Sequence, residues 1–378
     1  MRIERALMNP LISPLHVRPS APALEVVSAF NAAALRWHDE TFLLLRVAET
    51  AKDVPDTEVA VPVVVREHGD ARIEIKRFAK DMPGLDISDP RAVILHNEVY
   101  LSSLSHLRLA QSKDGYHFQI AKEPALFPTE LYEEYGIEDP RMTSIDGVVY
   151  INYTAVSRYG ISVALASTAD FVTYQKHGVI LPPENKNVVI FPERIEGQYV
   201  MLHRPATTGL GGQQIWLAYS DDMYHWGNHQ PLMGKRPGMW DNIRLGAGAV
   251  PIKTEHGWLE IYHGVNLEQG YCLGAVLLDL HDPSKILARS NVPFLVPETE
   301  YERTGFYSNV VFTCGAVVAG AGDLVQIYYG AADQYTCRAD IMLEDILDSL
   351  HAPALPISPP VDINAVPSPQ GVSCPLES

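Results

Sequence analysis

Asp146-Gly147-Val148-Val149-Tyr150-Ile151-Asn152-Tyr153-Thr154, then Val163-Ala164-Leu165-Ala166 running into Ser167-Thr168-Ala169-Asp170-Phe171, sets a pattern that the chain repeats. A turn dipeptide precedes a short strand of alternating apolar residues, which is the hairpin pattern. Equivalent turns stand at His38-Asp39, Asn97-Glu98, Glu196-Gly197, His256-Gly257 and Gly322-Asp323. The strands expected after them are Thr41–Arg46, Val99–Ser103, Tyr199–Arg204, Trp258–His263 and Leu324–Tyr329. The second element recurs as Leu107–Ala110 and Ile215–Ala218, with weaker copies at Leu273-Gly274-Ala275 and Arg338-Ala339. Two more Ser-x-Asp turns follow it, at Ser112-Lys113-Asp114 and Ser220-Asp221-Asp222. The alanines at 110, 166, 218 and 275 are 56, 52 and 57 residues apart. A repeat of about 50 residues made only of strands and turns predicts an all-β chain built as a β-propeller. A helical solenoid would need long segments of 3.6-residue period, and these are missing.

In a propeller the inner strands converge, so polar residues at their ends share one cavity. The repeat therefore brings distant residues together. One short C-terminal helix is expected around Leu343–Leu350. Beyond it, seven prolines between Ala352 and Ser378 read as an extended tail. The boundaries expected are an N-terminal extension over 1–27, a catalytic propeller over 28–345, and a helix end with Pro-rich tail over 346–378.

Composition narrows the function. The chain has 378 residues, 29 Lys plus Arg against 46 Asp plus Glu, and a net charge of −17. So acidic a chain is poorly suited to nucleic acid, whose phosphates need basic surface. No run of about 18 apolar residues marks a transmembrane helix. Met1–Val17 lacks the apolar core of a secretory leader, so a cytoplasmic location is expected. The four cysteines form no Cys-x-x-Cys pair, and none of the fourteen histidines lies in a His-Glu-x-x-His motif. No metal or other cofactor is expected.

The densest chemical motif is Gly136-Ile137-Glu138-Asp139-Pro140-Arg141, two carboxylates and a guanidinium around a proline. On the residues alone, Asp139 also reads as a turn aspartate before Pro140. This motif, with Tyr150-Ile151-Asn152-Tyr153-Thr154-Ala155, resembles glycoside hydrolase family 130. Phe30-Asn31, Phe191-Pro192-Glu193, Leu202-His203-Arg204-Pro205, Tyr262-His263-Gly264-Val265 and Tyr329-Gly330-Ala331-Ala332-Asp333 extend the resemblance over roughly residues 28–345. It implies a five-bladed propeller; since six copies of the turn–strand element are present, the blade number rests on the resemblance.

The resemblance implies an inverting phosphorylase that converts a β-mannoside and inorganic phosphate, a co-substrate, into α-mannose 1-phosphate and a shortened sugar. Asp139 is then the acid, relaying its proton through a sugar hydroxyl. Arg204, Arg244 and His263 are the phosphate ligands, with arginine at 244 where the family commonly has lysine. Guanidinium suits phosphate because its planar donors match the oxygens; taken singly, each arginine also reads as an ion-pair residue and His263 as a hydrogen-bonded strand histidine. Asn31, Arg46, Glu138, Arg141 and Asp333 are expected at the mannoside. Tyr153 and Tyr307 are aromatics that could stack on sugar or simply pack. The segment Asp81–Arg91 with Ser103–His106 is most similar to members acting on β-1,2-linked mannosides. A hydrolase on the same fold would draw its base from Glu193, Glu260 or Glu268. A non-catalytic glycan- or protein-binding propeller is the reading from another class, and a homo-oligomer stays open.

Overall fold

The computed structural model describes residues 3–67, 70–207, 210–320 and 323–350. The Pro-rich tail lies outside the described residues. The chain is nearly all-β, with two short α-helices, Glu300–Arg303 and Leu343–Ser349.

Antiparallel four-strand units follow one another along the chain. The first comprises Leu24–Trp37, Glu40–Ala51, Leu104–Ser112 and Gln119–Ile120, and the second Gly136–Ile145, Val148–Ser157, Gly160–Thr168 and Gln175–Leu181. One parallel bridge, Gly136 to Ser105, joins these two. The third unit is Asn185–Ile190, Tyr199–Pro205, Ile215–Ser220 and Gly227–Met233. The fourth is Arg244–Ala247, Gly257–Asn266, Gly270–Leu278 and Ile286–Arg289, with Ile252–Thr254 alongside. The fifth is Val311–Ala319, Leu324–Ala331 and Tyr335–Met342, and its edge is the N-terminal strand Ile3–Arg5 paired to Ala339–Ile341. Part of the expected N-terminal extension is thus woven into the last unit.

The first strand of each unit packs on the next unit. Leu24–Trp37 touches Gly136–Ile145, which touches Asn185–Ile190, which touches Arg244–Ala247. Gly257–Asn266 and Gly270–Leu278 touch Val311–Ala319, which returns to Leu24–Trp37. The circuit of neighbours closes.

Local chemistry explains the repeat. Ala110, Ala166, Ala218, Ala275 and Ala339 each lie on the third strand of a unit with 0% exposure. A methyl group there lets neighbouring units close to core packing density. The Ser-x-Asp turns are one device used three times. Asp114 accepts backbone N–H bonds from Tyr116 and His117, Asp170 from Val172 and Thr173, and Asp222 from Tyr224 and His225. Asp279 does the same for His281 and Asp282, a fourth copy in diverged sequence. These side-chain bonds satisfy turn donors that no strand partner reaches.

The expected strand Val99–Ser103 is not part of this series. It forms Glu98–Leu101 in a small sheet with Leu85–Asp86 and Ala92–Leu95, which, with the hairpin Glu58–Glu67/Asp70–Ala79, is inserted within the first unit. The sixth copy of the pattern therefore belongs to an insertion. Its apolar face packs on the second unit through Val61, Val63, Val93 and Tyr100 against Tyr135 and Val156.

Candidate active site

The inner strands of four of the five units, all but Arg244–Ala247, are interrupted at a comparable point. Register shifts lie between Phe30 and Ala33, between Glu138 and Arg141, between Lys186 and Val189, and between Thr313 and Gly315. A bulge re-aims side chains out of the ladder. The residues at three of them adopt left-handed backbone: Asn31 at φ 45°, Asp139 at φ 47° and Asn187 at φ 53°. Asn and Asp tolerate that region better than other side chains with a Cβ. Asp333, in the turn after Leu324–Ala331, joins them at φ 52°.

The bulges place Asn31, Arg46, Glu138 and Asp139 in one hydrogen-bonded group. Asn31 Nδ2 donates to Asp139 Oδ1 at 3.0 Å, and Arg46 Nη1 donates to the same oxygen at 3.1 Å. Arg46 Nη2 reaches Glu138 Oε1 at 2.7 Å, and its Nε reaches Ser105 Oγ at 3.1 Å. Asp139 Oδ2 carries no bond among the described residues, so one oxygen is anchored and the other is available. Asn31 sits against the main chain of Gly330, where a Cβ would lie 2.0 Å from Asn31 Oδ1. Burial raises the Asp139 pKa, but Arg46, Lys186 and Arg141 outweigh it and hold the carboxyl below its ordinary range. Asp333 behaves oppositely: burial, with the charges of Asp139 and Glu138, pushes it up to about 6 against the pull of Arg46 and Arg91.

A second group adjoins the first. Lys186 and Arg204 are cross-strand partners in the third unit, and His263 faces Gly246 in the fourth. Gly246 has no alternative: a Cβ would stand 2.6 Å from both Asn187 Nδ2 and His263 Cε1. Arg204 is 5% exposed, its Nε has no partner, and its Nη1 lies 3.4 Å from His263 Nε2. Arg244 Nη1 meets only the hydroxyl of Tyr271, at 3.3 Å. No carboxylate pairs with Lys186, Arg204 or Arg244 among the described residues. Burial, followed by the neighbouring cations Arg244 and Arg141, brings the Arg204 pKa down to about 10, and burial with the cations Arg204 and Arg46 also lowers Lys186, against the pull of Glu138 and Asp139.

Two of the expected site residues are held by contacts from other units. Arg141, expected at the substrate, is 1% exposed and donates to the carbonyls of Asp139 (3.0 Å), Ala247 (3.0 Å) and Gly248 (3.1 Å). It ties the second unit to the fourth and so holds the Asp139 bulge. His263, expected as a phosphate ligand, is buried where its neutral form is favoured. Burial and the charges of Arg204, Arg141 and Arg244 push its pKa well below normal, and Nε2 lies 3.3 Å from Asn187 Nδ2, a donor. Two donors, Asn187 Nδ2 and Arg204 Nη1, face Nε2, which suits the tautomer whose proton is on Nδ1.

Arg204 and Arg244 stand where the motifs put them, beside His263. Lys186, Asn187 and Tyr271 were not singled out; the signal for Asn187 was an Asn inside an inner strand, as at Asn31. Tyr153 is a core residue, 1% exposed, donating to Glu133 Oε1 at 2.7 Å. Tyr307 is 40% exposed, on the loop beside the Asp333 turn. The candidate hydrolytic bases stand apart from one another: Glu193 pairs with Lys253 at the surface, Glu268 lies in the exposed Asn266–Gln269 turn, and Glu260 is fully buried, with Oε1 accepting from the Gly248 N–H at 2.9 Å and Oε2 without a partner among the described residues.

The family model described as beta-1,4-mannooligosaccharide phosphorylase matches residues 85–352. The chain belongs to glycoside hydrolase family 130. A beta-1,2-mannobiose phosphorylase from Listeria innocua is 43% identical over 358 residues, 94% of this chain and 100% of the relative. A solved structure of the Listeria innocua beta-1,2-mannobiose phosphorylase, in complex with beta-1,2-mannobiose, matches with a TM-score of 0.88 over 93% of this chain and 99% of that one. A 1,2-beta-oligomannan phosphorylase from a Thermoanaerobacter species is 40% identical over 250 residues, 65% of this chain and 82% of the relative.

Proposed function

We propose that this family 130 chain is an inverting phosphorylase of β-mannosides, acting on β-1,2-linked mannobiose or short mannooligosaccharides, on a five-bladed propeller whose blades are the five four-strand units. The observation that carries the phosphorylase reading is Arg204: a buried guanidinium with no carboxylate partner, opposite Lys186 and beside Arg244. A buried unpaired charge is costly. In a chain of net charge −17, such a cluster is sensible only if an anion completes it. Phosphate supplies the charge and the oxygens.

The reaction follows from the two groups. A phosphate oxygen attacks the anomeric carbon from the face opposite the leaving oxygen, the C–O bond to the leaving sugar breaks, and the configuration inverts to α-mannose 1-phosphate. The leaving oxygen takes a proton from the Asp139 side. Asp139 is ionised in the empty site because Arg46, Lys186 and Arg141 favour its charge. Bound phosphate cancels the Lys186 contribution and adds negative charge nearby, which raises the affinity of Asp139 for a proton. The acid is thereby armed by the nucleophile's arrival. Neutral His263 orients Arg204 and Asn187 instead of binding phosphate as a cation. Asn31, Arg46 and Asp333 surround the mannosyl unit.

The hydrolase reading is weaker because Glu193 is paired with Lys253, Glu268 lies on an exposed turn, and Glu260 is buried with one oxygen on the Gly248 N–H. A binding module would have no use for a carboxyl of tuned ionisation beside an anion site. Buried free thiols at Cys272, Cys314 and Cys337 suit a reducing, cytoplasmic compartment. The test is to incubate β-1,2-mannobiose with and without phosphate. Cleavage that saturates with phosphate and yields α-mannose 1-phosphate plus mannose is expected. Equal cleavage in phosphate-free buffer, giving mannose alone, overturns the reading.

A further inference from the structure

The insertion in the first unit reaches across to the fifth. Arg91 stands on a turn whose main chain is pinned: the Asp89 carbonyl accepts from the Ala92 N–H at 3.1 Å, and the Arg91 carbonyl from the Ser102 N–H at 3.0 Å. Its guanidinium is held flat by Asp89, through Nε at 3.0 Å and Nη2 at 2.7 Å. It lies over the ring of Tyr307, 5.1 Å from the centroid. Tyr307 is fixed in turn, its N–H donating to the Ala332 carbonyl at 3.0 Å, one residue before Asp333. Arg91 Nη1 makes no bond among the described residues, so a planar donor face and an aromatic face stand together at the rim.

Exposure orders the site by depth. Asn31 and Asp139 are 4% and 6% exposed, whereas Arg91 and Tyr307 are 51% and 40% exposed. A terminal mannosyl unit held at Asn31 and Asp139 leaves the rest of the sugar to pass the rim.

We propose that Arg91 and Tyr307 form a binding wall for the sugar on the leaving side of the scissile bond, so that this pair sets acceptor preference. Arg91 donates to hydroxyls of that sugar and Tyr307 covers an apolar ring face. The pairing suits a carbohydrate, whose rings present C–H faces to aromatics and hydroxyls to planar donors. This rests on the mannoside reading above, and it assigns a role to two residues outside the acid and phosphate groups.

The test uses the synthetic direction, α-mannose 1-phosphate plus mannose as acceptor, with Arg91→Ala and Tyr307→Ala. The acceptor KM is expected to rise ~10-fold in each, about what one charged hydrogen bond is worth. The KM for α-mannose 1-phosphate, and for phosphate in the cleavage direction, should move less than about twofold, a split that general loosening would not produce. Melting temperatures within a few degrees of the unaltered protein show that the variants fold. If Arg91→Ala does not fold, Asp89→Asn frees the guanidinium without removing it and should raise the acceptor KM by ~3-fold. Unchanged acceptor KM in Arg91→Ala and Tyr307→Ala, or in Asp89→Asn and Tyr307→Ala, overturns the inference. Its failure is separable from failure of the phosphorylase reading, which shows as phosphate-independent cleavage by the unaltered protein. In that case the mannobiose KM for hydrolysis reports on the wall instead.

Discussion

The two halves of the site are built on opposite principles. Around Arg46 the two motif carboxylates are paired: Asp139 and Glu138 share its guanidinium, and Asn31 adds a donor. Around Arg204 the cations have no carboxylate paired with them among the described residues, and the hydrogen bonds go to neutral groups such as His263 and Tyr271. The first half has its main ion pairs formed before substrate arrives and fixes one oxygen of the acid. The second is left incomplete, and burial of an unpaired guanidinium is tolerated there because a ligand will supply the anion. A self-satisfied cluster points to positioning, and an unsatisfied one to binding.

The largest effect expected falls on the paired half. Asp139→Asn keeps the shape and can retain one contact to the Asn31–Arg46 pair, but it cannot carry the acid's proton. Turnover should fall by ~10²–10⁴, the usual weight of general acid catalysis. Steady-state kinetics at saturating phosphate measures it, with phosphate KM changed little. A kcat near that of the unaltered protein would move the acid elsewhere, with Glu138 as the next candidate.

Next in size is a contrast between two arginines. Arg204→Met should raise the phosphate KM by ~10–100-fold, the loss of a charged hydrogen-bonding partner. The ligand-free melting temperature should hold or rise, because a costly buried charge is gone. Phosphate should protect the unaltered protein against heat through mass action, by about 2.7 kcal/mol at a hundredfold excess over Kd, and protect the variant far less. Arg46→Met should do the reverse in stability, stranding Glu138 and Asp139 without their partner. If Arg204→Met destabilises the ligand-free protein as much as Arg46→Met does, the two halves are not different in kind.

How much of this could be read from sequence follows from where the information sits. The turn–strand units were legible because alternation and Ser-x-Asp turns are local, and Asp114, Asp170 and Asp222 make the bonds their spacing implies. The copy at Val99–Ser103 obeyed the same local rule yet belongs to the insertion, since nothing in a hairpin's own residues says which sheet it joins. Asp139, Arg204 and Arg244 were found through motifs. Lys186 and Tyr271 were missed because each is an ordinary strand residue until the third and fourth units bring them together. The surroundings of Arg141 and His263 were not legible for a tertiary reason: the carbonyls of Ala247 and Gly248 that hold Arg141, and the arginines Arg204 and Arg141 that favour a neutral His263, come from other units.

The smallest effect expected separates Asp333 from Asp139 by pH. Asp333 is pushed up to about 6, chiefly by burial, whereas an aspartate in the unfolded chain titrates near 3.9. Between about pH 4 and pH 6 the folded chain therefore keeps a proton that the unfolded chain has released, and stability falls as pH rises through this window. Asp139 contributes in the opposite sense: its folded value is depressed, so its share of stability is present above the unfolded value and is lost as pH falls. Asp333→Asn removes the first contribution and leaves the second. The melting temperature of Asp333→Asn, measured against the unaltered protein at fixed ionic strength, should gain steadily from about pH 4 to pH 6 and then hold level. A difference constant across that range would mean that Asp333 titrates alike in both states, and the carboxyls around Arg46 would then share one environment instead of two.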